Sequence, residues 1–228
     1  PYRRKMVLSA VFIVLFAVTS STSAWDFLMS IDSHWFSTLF GWYTFAGLFV
    51  SAMSMVALFT LYLKRRGYMG HINENHLHDV GKFMFAFSVF WTYLWFSQFM
   101  LIWYANLPEE TIWYRHRMVG SWLSISLAMP FLRFLIPFFL LLCRGAKRSL
   151  SMIAAIAVWS IVVEYIDLYW TVMPTYYKNG PEFHWLDLAT LGATVGVCGT
   201  VFWIRFRRHK MTPVGDLRFE QSLHFENA

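Results

Sequence analysis

The sequence predicts an all-α integral membrane protein of six transmembrane helices with both ends on the cytoplasmic side. Three observations predict it. The 228 residues are 57% hydrophobic and 20% aromatic but only 14% charged, whereas soluble domains carry about 25% charged residues. The apolar residues gather into six runs near the length of about 20 residues that a bilayer core requires. The Lys and Arg residues fall in alternate loops, as the positive-inside rule demands. A net charge of +6 suggests nucleic-acid binding at first. The charges sit in short clusters between long apolar runs, so that class is excluded.

The six spans lie near 6–24, 39–63, 82–105, 119–143, 150–173 and 185–204. None alternates like a strand, and helices satisfy every backbone amide inside lipid. The first follows Arg3, Arg4 and Lys5 and is weakened at its outer end by Ser20, Ser21, Thr22 and Ser23. The second ends on Lys64, Arg65 and Arg66, and Gly47-xxx-Ser51 within it permits close helix approach. The third opens at Lys82. The fourth carries Arg133 between Pro130 and Pro137, which should kink it there. The fifth follows Arg144, Lys147 and Arg148 and carries Glu164 and Asp167 in its outer half. The sixth holds Gly192-xxx-Gly196 and precedes Arg205, Arg207, Arg208, Lys210 and Arg218. Residues 1–210 thus form one six-helix transmembrane domain, and 211–228 a polar tail expected on the cytoplasmic surface.

Six alternating spans put all those basic clusters on one side and leave only Arg115, Arg117 and Lys178 on the other. That side is acidic, with Asp26, Asp32, Glu109, Glu110, Glu182 and Asp187. Trp25, Trp35, Trp103, Trp113, Tyr176 and Trp185 fall at the outer ends of the spans, the half-wet zone that indole and phenol rings prefer. The chain opens on Pro1 and a basic flank without a cleavage pattern, so the expectation is a piece of a longer polypeptide.

Cys143 and Cys198 are the two cysteines. Neither has a paired spacing, and both are expected as buried apolar side chains. Iron–sulfur ligation needs about four thiolates, so no cluster is expected in this chain. The eight histidines fall in loops or at helix ends, which argues against a haem held at membrane depth. His76-x-His78-Asp79 is a weak zinc pattern without two further ligands. His76, His78, Asp79 and Lys82 read either as a solvated helix start, capped by Asn75 or a neighbour, or as a proton entry point, since histidine exchanges protons near neutral pH.

The informative charges lie inside the spans. Arg133, Glu164 and Asp167 are costly in lipid and call for partners. Ser160, Glu164, Asp167 and Thr171 repeat at i, i+4, i+7 and i+11, which makes one polar stripe on the fifth helix. Antiparallel packing would bring Arg133 within a turn or two of Glu164 in depth. The two readings are a buried ion pair that pins helices together and a proton-conducting or ligand-binding chain extended by Gln98 or Tyr169.

Four runs go further: residues 26–38 (DFLMSIDSHWFST), 76–82 (HLHDVGK), 96–111 (FSQFMLIWYANLPEET) and 163–170 (VEYIDLYW). Over about residues 25–190 they make the chain resemble the ActF family, membrane subunits of bacterial alternative complex III, a quinol:cytochrome c oxidoreductase. The resemblance implies the fold of the membrane subunits related to polysulfide reductase, with a four-helix bundle, and a carboxy-terminal portion of a subunit of about ten helices. It implies a multi-pass protein of the bacterial inner membrane that supports menaquinol oxidation without being the catalytic subunit. Haem c and iron–sulfur clusters would belong to partner subunits: a sister quinol-site membrane subunit, an iron–sulfur subunit, multihaem and monohaem cytochromes c, and a terminal oxidase. Menaquinone or lipid would lie nearby. Glu164, Asp167, Arg133, Gln98, Tyr169, His76, His78, Asp79 and Lys82 would then line polar half-channels for protons. The alternatives are a stand-alone proton-coupled transporter and a purely structural anchor.

Overall fold

In the computed structural model, residues 2–208 and 219–223 are described. Six helical stretches are long and apolar enough to cross a membrane: Arg3–Ile31, Leu39–Arg65, Glu74–Ala105, Trp122–Leu142, Leu150–Thr175 and Trp185–Phe206. We label the helices α1 (Tyr2–Phe27), α2 (Leu39–Arg65), α3 (Glu74–Ala105), α4 (Pro108–Arg117), α5 (Trp122–Pro130), α6 (Ile136–Leu142), α7 (Arg144–Arg148), α8 (Leu150–Val172), α9 (Trp185–Phe206) and α10 (Phe219–Leu223). A π-helical turn, Phe131–Leu135, joins α5 to α6 within the fourth span. Among the described residues there is no strand.

The local sequence explains the ends. α3 begins eight residues before Lys82, the expected start, because Asn73 caps it. The Asn73 side chain accepts from the backbone N–H groups of Asn75 and His76, and His76 Nδ1 accepts from the Asn73 N–H. That reciprocal cap satisfies donors a charged first turn would otherwise leave open. At the other end Asn106 takes the left-handed conformation, φ 49°, and its N–H closes on the Ile102 carbonyl. α4 then opens on Pro108, with Glu109 and Glu110 in its first turn and Arg115, His116 and Arg117 in its last, a charge order that suits the helix dipole. His184 and Asp187 cap α9 in the same reciprocal way as α3.

The second to fifth spans pack together, while α1 and α9 lie outside. Two cores result. One, toward loops 28–38, 106–121 and 176–184, is aromatic: Trp35, Phe40, Tyr43, Trp91, Trp113, Trp122 and Trp170 are buried in it. We call this the aromatic end. The other, toward loops 66–73 and 143–149, is aliphatic: Leu61, Leu77, Met84, Leu141, Ile153 and Ile156. We call this the basic end. Lipid tails are as apolar as these side chains, so packing and polar pairing, not transfer from water, hold the spans together.

Two expectations are corrected. Cys143 and Cys198 are exposed on the surface of the chain, not buried, because α9 buries none of its residues and Cys143 sits where the helix breaks. Gly192 and Gly196 have open space around them, since α9 touches α2 through Phe59 against Phe202 and Phe206, at its far end. The expected tail, 211–228, lies outside the described residues except for α10.

Gly120 ties two loops of the aromatic end. Its φ is +60°, and a Cβ there would run into the Asn179 carbonyl oxygen, which accepts from the Ser121 N–H at 3.2 Å. Gly120→Ala should therefore destabilise the fold by about 1–3 kcal/mol, read as a lowered thermal midpoint of the purified protein. An unchanged midpoint would contradict the close approach at this loop junction.

Candidate functional site

Between the two cores sits a cluster of ionisable side chains. The fourth span places Arg133 at its centre. Pro137 has no N–H to give the Arg133 carbonyl, and its ring crowds that carbonyl, so the α-helical pattern cannot continue there. The chain responds with the π turn. Trp159 Nε1 donates to the Leu132 carbonyl at 2.8 Å, so a neighbouring span satisfies a backbone group in the break. The wider turn carries the Arg133 side chain inward, where it is 6% exposed.

α8 supplies the acids. Glu164 and Asp167 are one turn apart and share its inward stripe with buried Ser160 and Thr171. Glu164 lies about 21 Å from the start of α8 and about 16 Å from Thr175 at 1.5 Å per residue, near the middle of the fifth span. The Arg133 guanidinium bridges both acids: Nη2 pairs with Glu164 Oε2, and Nη1 stands 3.4 Å from Asp167 Oδ2. Asp167 also accepts the Tyr43 hydroxyl on Oδ1 at 2.5 Å. The guanidinium carbon lies 4.4 Å from the centre of the Trp91 ring, where the π face favours a cation. Four spans thus meet in one network.

Gly47 of α2 makes the room. A Cβ there would lie 2.5 Å from Arg133 Nη2 and 2.5 Å from Glu164 Oε1. The Gly47-xxx-Ser51 pattern therefore admits an ion pair, not a neighbouring backbone. Two carboxylates and one guanidinium leave one negative charge to be balanced by a proton or another cation. Beside Arg133, Ser88 and Ser160 line a void of about 10 Å³, near the volume that one water requires.

Other candidates lie elsewhere. Gln98 is buried two turns along α3 from Trp91; among the described residues its Oε1 has no hydrogen-bond partner, and it lines a separate cavity of about 200 Å³ with Ser37, Thr38 and Glu110. The Tyr169 hydroxyl donates to the Glu182 carbonyl at 2.7 Å, at the aromatic end. His76 belongs to the α3 cap, Asp79 pairs with Lys82 at 2.5 Å, and His78 is buried at 8% exposure. His78 is thirteen residues from Trp91, about 20 Å along the helix, so this group is not brought to the Arg133 cluster. Among the described residues, no three His, Cys, Asp or Glu side chains converge as a metal site would require.

The structure adds four residues to the expected set: Tyr43, Gly47, Trp91 and Arg117. Arg117, expected as a loop charge, is 1% exposed. Its guanidinium lies 3.5 Å over Trp113 and donates to the Trp113 carbonyl at 2.7 Å and the Thr171 carbonyl at 2.5 Å. It thereby caps the carbonyl end of α8, four residues beyond Asp167. Burial pulls the Arg117 guanidinium down to about 9, against the opposing pull of the Asp32 carboxylate, and it stays charged at neutral pH. Burial likewise raises the neighbouring Tyr114 phenol.

No protein-family model and no curated protein matches the chain.

Gly47→Ala tests the packing of the cluster. The methyl must displace either Arg133 or Glu164, and overpacking of this kind costs about 1–3 kcal/mol. Arg133→Met, which leaves two acids facing each other without their cation, should cost about 3–5 kcal/mol. Thermal unfolding of both variants in detergent checks the order, and a Gly47→Ala midpoint equal to wild type would refute the close approach.

Proposed function

We propose that this chain is a non-haem, multi-pass inner-membrane subunit of a quinol-oxidising electron-transfer complex of the alternative complex III type, and that its Glu164–Arg133–Asp167–Tyr43 cluster handles protons. The complex and its partners, the sister quinol-site subunit, the iron–sulfur subunit and the cytochrome c subunits, rest on the resemblance carried by residues 26–38, 76–82, 96–111 and 163–170. The proton role rests on one observation: two carboxylates share a single guanidinium at mid-depth, with a phenol hydroxyl donated into one of them.

Such a group suits proton handling for a physical reason. Its surplus negative charge lies in a low-dielectric environment where an unbalanced charge is expensive, so binding or releasing one proton changes its energy strongly. The Arg133 fork can favour one acid or the other as that proton moves. Tyr43 supplies a hydroxyl that both donates and accepts. In this reading the basic end faces the cytoplasm by the positive-inside rule, and the spans around the cluster form the four-helix bundle of the polysulfide-reductase type.

A second reading, a structural lock between spans, is favoured by the Gly47 contact, which closes the ion pair tightly on one side. Glu164→Gln combined with Asp167→Asn separates the two. The proton-handling reading expects fewer protons translocated per quinol oxidised, with turnover retained, in vesicles holding the intact complex. An unchanged proton stoichiometry would remove these carboxylates from the path. Identification of the subunits that co-purify with the chain tests membership of the complex.

A further inference from the structure

α1 leans on α2 where Ser21 meets Gly41; a Cβ on Gly41 would lie 3.1 Å from that of Ser21. Beside this contact α1, α2 and α8 border a groove of about 610 Å³. Sites for drug-sized molecules run to about 300–1,000 Å³. Phe16, Phe27, Phe45, Leu48, Leu168 and Glu164 are among the residues that line it. An adjoining cavity of about 480 Å³ shares Phe16, Ser20 and Phe45 with it and is lined almost wholly by apolar side chains.

The chemistry of these walls selects a ligand. Thr19, Ser20 and Thr44 also border the groove, but each hydroxyl is spent on its own helix: Thr19 donates to the Leu15 carbonyl at 2.8 Å, Ser20 to Ala17 at 3.3 Å and Thr44 to Gly41 at 2.9 Å. Ser23 and Ser51 border it too, and among the described residues the buried Ser51 hydroxyl has no hydrogen-bond partner, so the groove combines a few hydroxyls with one carboxylate. Its lining includes Glu164, one of two acids that share a single guanidinium, together with the phenyl groups of Phe16, Phe27 and Phe45. Phenyl faces attract cations.

We infer that this groove is a binding site for lipophilic organic cations, ammonium or phosphonium ions with apolar or aromatic substituents, which enter laterally from the membrane and sit against Glu164. The bound cation supplies the missing positive charge, so it competes with a proton for the cluster. Glu164 pairs with Arg133 from the fourth span and shares that guanidinium with Asp167 of its own helix, which in turn accepts the Tyr43 hydroxyl from α2; α1 presents hydroxyls and apolar groups to the groove. This site does not depend on the redox complex proposed above, and its test reads binding, not proton stoichiometry.

The probe is radiolabelled tetraphenylphosphonium, measured at equilibrium on the protein purified from its own membrane into nanodiscs. Saturable binding is expected, tightening as pH rises and poorly displaced by neutral triphenylphosphine oxide. Glu164→Gln should weaken it at least about tenfold, the loss of one charge-assisted contact. Leu48→Trp, which fills the groove and leaves the ion pair alone, should abolish it. Binding that ignores pH, that the neutral probe displaces equally well, or that survives Leu48→Trp would overturn the proposal, as would no saturable binding. If Glu164→Gln does not fold, the Leu48→Trp result and the pH series decide.

Discussion

The architecture depends on holding Arg133, Glu164 and Asp167 together at mid-depth. An isolated ion in such a medium is prohibitively costly, and mutual attraction offsets that cost only when the geometry is good and the remaining polar atoms are satisfied. The bridging guanidinium, the Tyr43 hydroxyl and the Trp91 face provide that geometry. Each comes from a different span, so the cluster constrains azimuth, depth and tilt of four helices at once. The break in the fourth span follows from the same demand. A regular helix through Pro137 would clash, and the π turn that relieves the clash also aims Arg133 at the acids.

The cluster divides the interior. Toward the aromatic end, interlocked indoles fill the space: Trp35 stacks on Trp113 at 4.5 Å, and Trp113 meets Trp170 edge-on at 5.4 Å. Buried Arg117 joins this group and ties α4 to the end of α8. Toward the basic end the core is aliphatic, and the Asn73 side chain caps the start of α3. The aromatic end is crosslinked by indoles and a buried guanidinium, while the basic end joins an aliphatic core to hydrogen bonds from Lys64 to the Ile72 carbonyl and from Arg148 to Asn75. This asymmetry holds the carbonyl end of α8, and with it Asp167, in a fixed place.

The periphery follows different rules. α9 touches the bundle through few side chains, while α1 packs on α2 and sends Ala24 into the aromatic core; both present apolar surface that lipid or a neighbouring protein can cover. Between α1 and α2 one edge of the charged cluster borders an apolar groove. Glu164 therefore belongs both to the interior network, through its pairing with Arg133, and to the lining of that groove.

The spans and the intramembrane charges were legible in the sequence because transfer into a bilayer is close to a sum over residues, so a run of apolar residues and a lone arginine announce themselves without any knowledge of neighbours. The polar stripe of the fifth helix, with Ser160, Asp167 and Thr171 buried and Glu164 turned to Arg133, was legible for the same kind of reason, as a matter of spacing. The depth match of Arg133 and Glu164 followed from antiparallel order. Tyr43 and Trp91 were not legible, and Gly47 was legible only as a place of close approach, not as the room for an ion pair. Nothing within an aromatic-rich apolar run distinguishes a tyrosine that meets a carboxylate 124 residues away from one that meets lipid. Arg117 was hidden in the opposite way, as a charge among loop charges. Those choices belong to tertiary structure, because which side chains meet depends on how each helix is rotated and set in depth against its neighbours, and no local pattern encodes that.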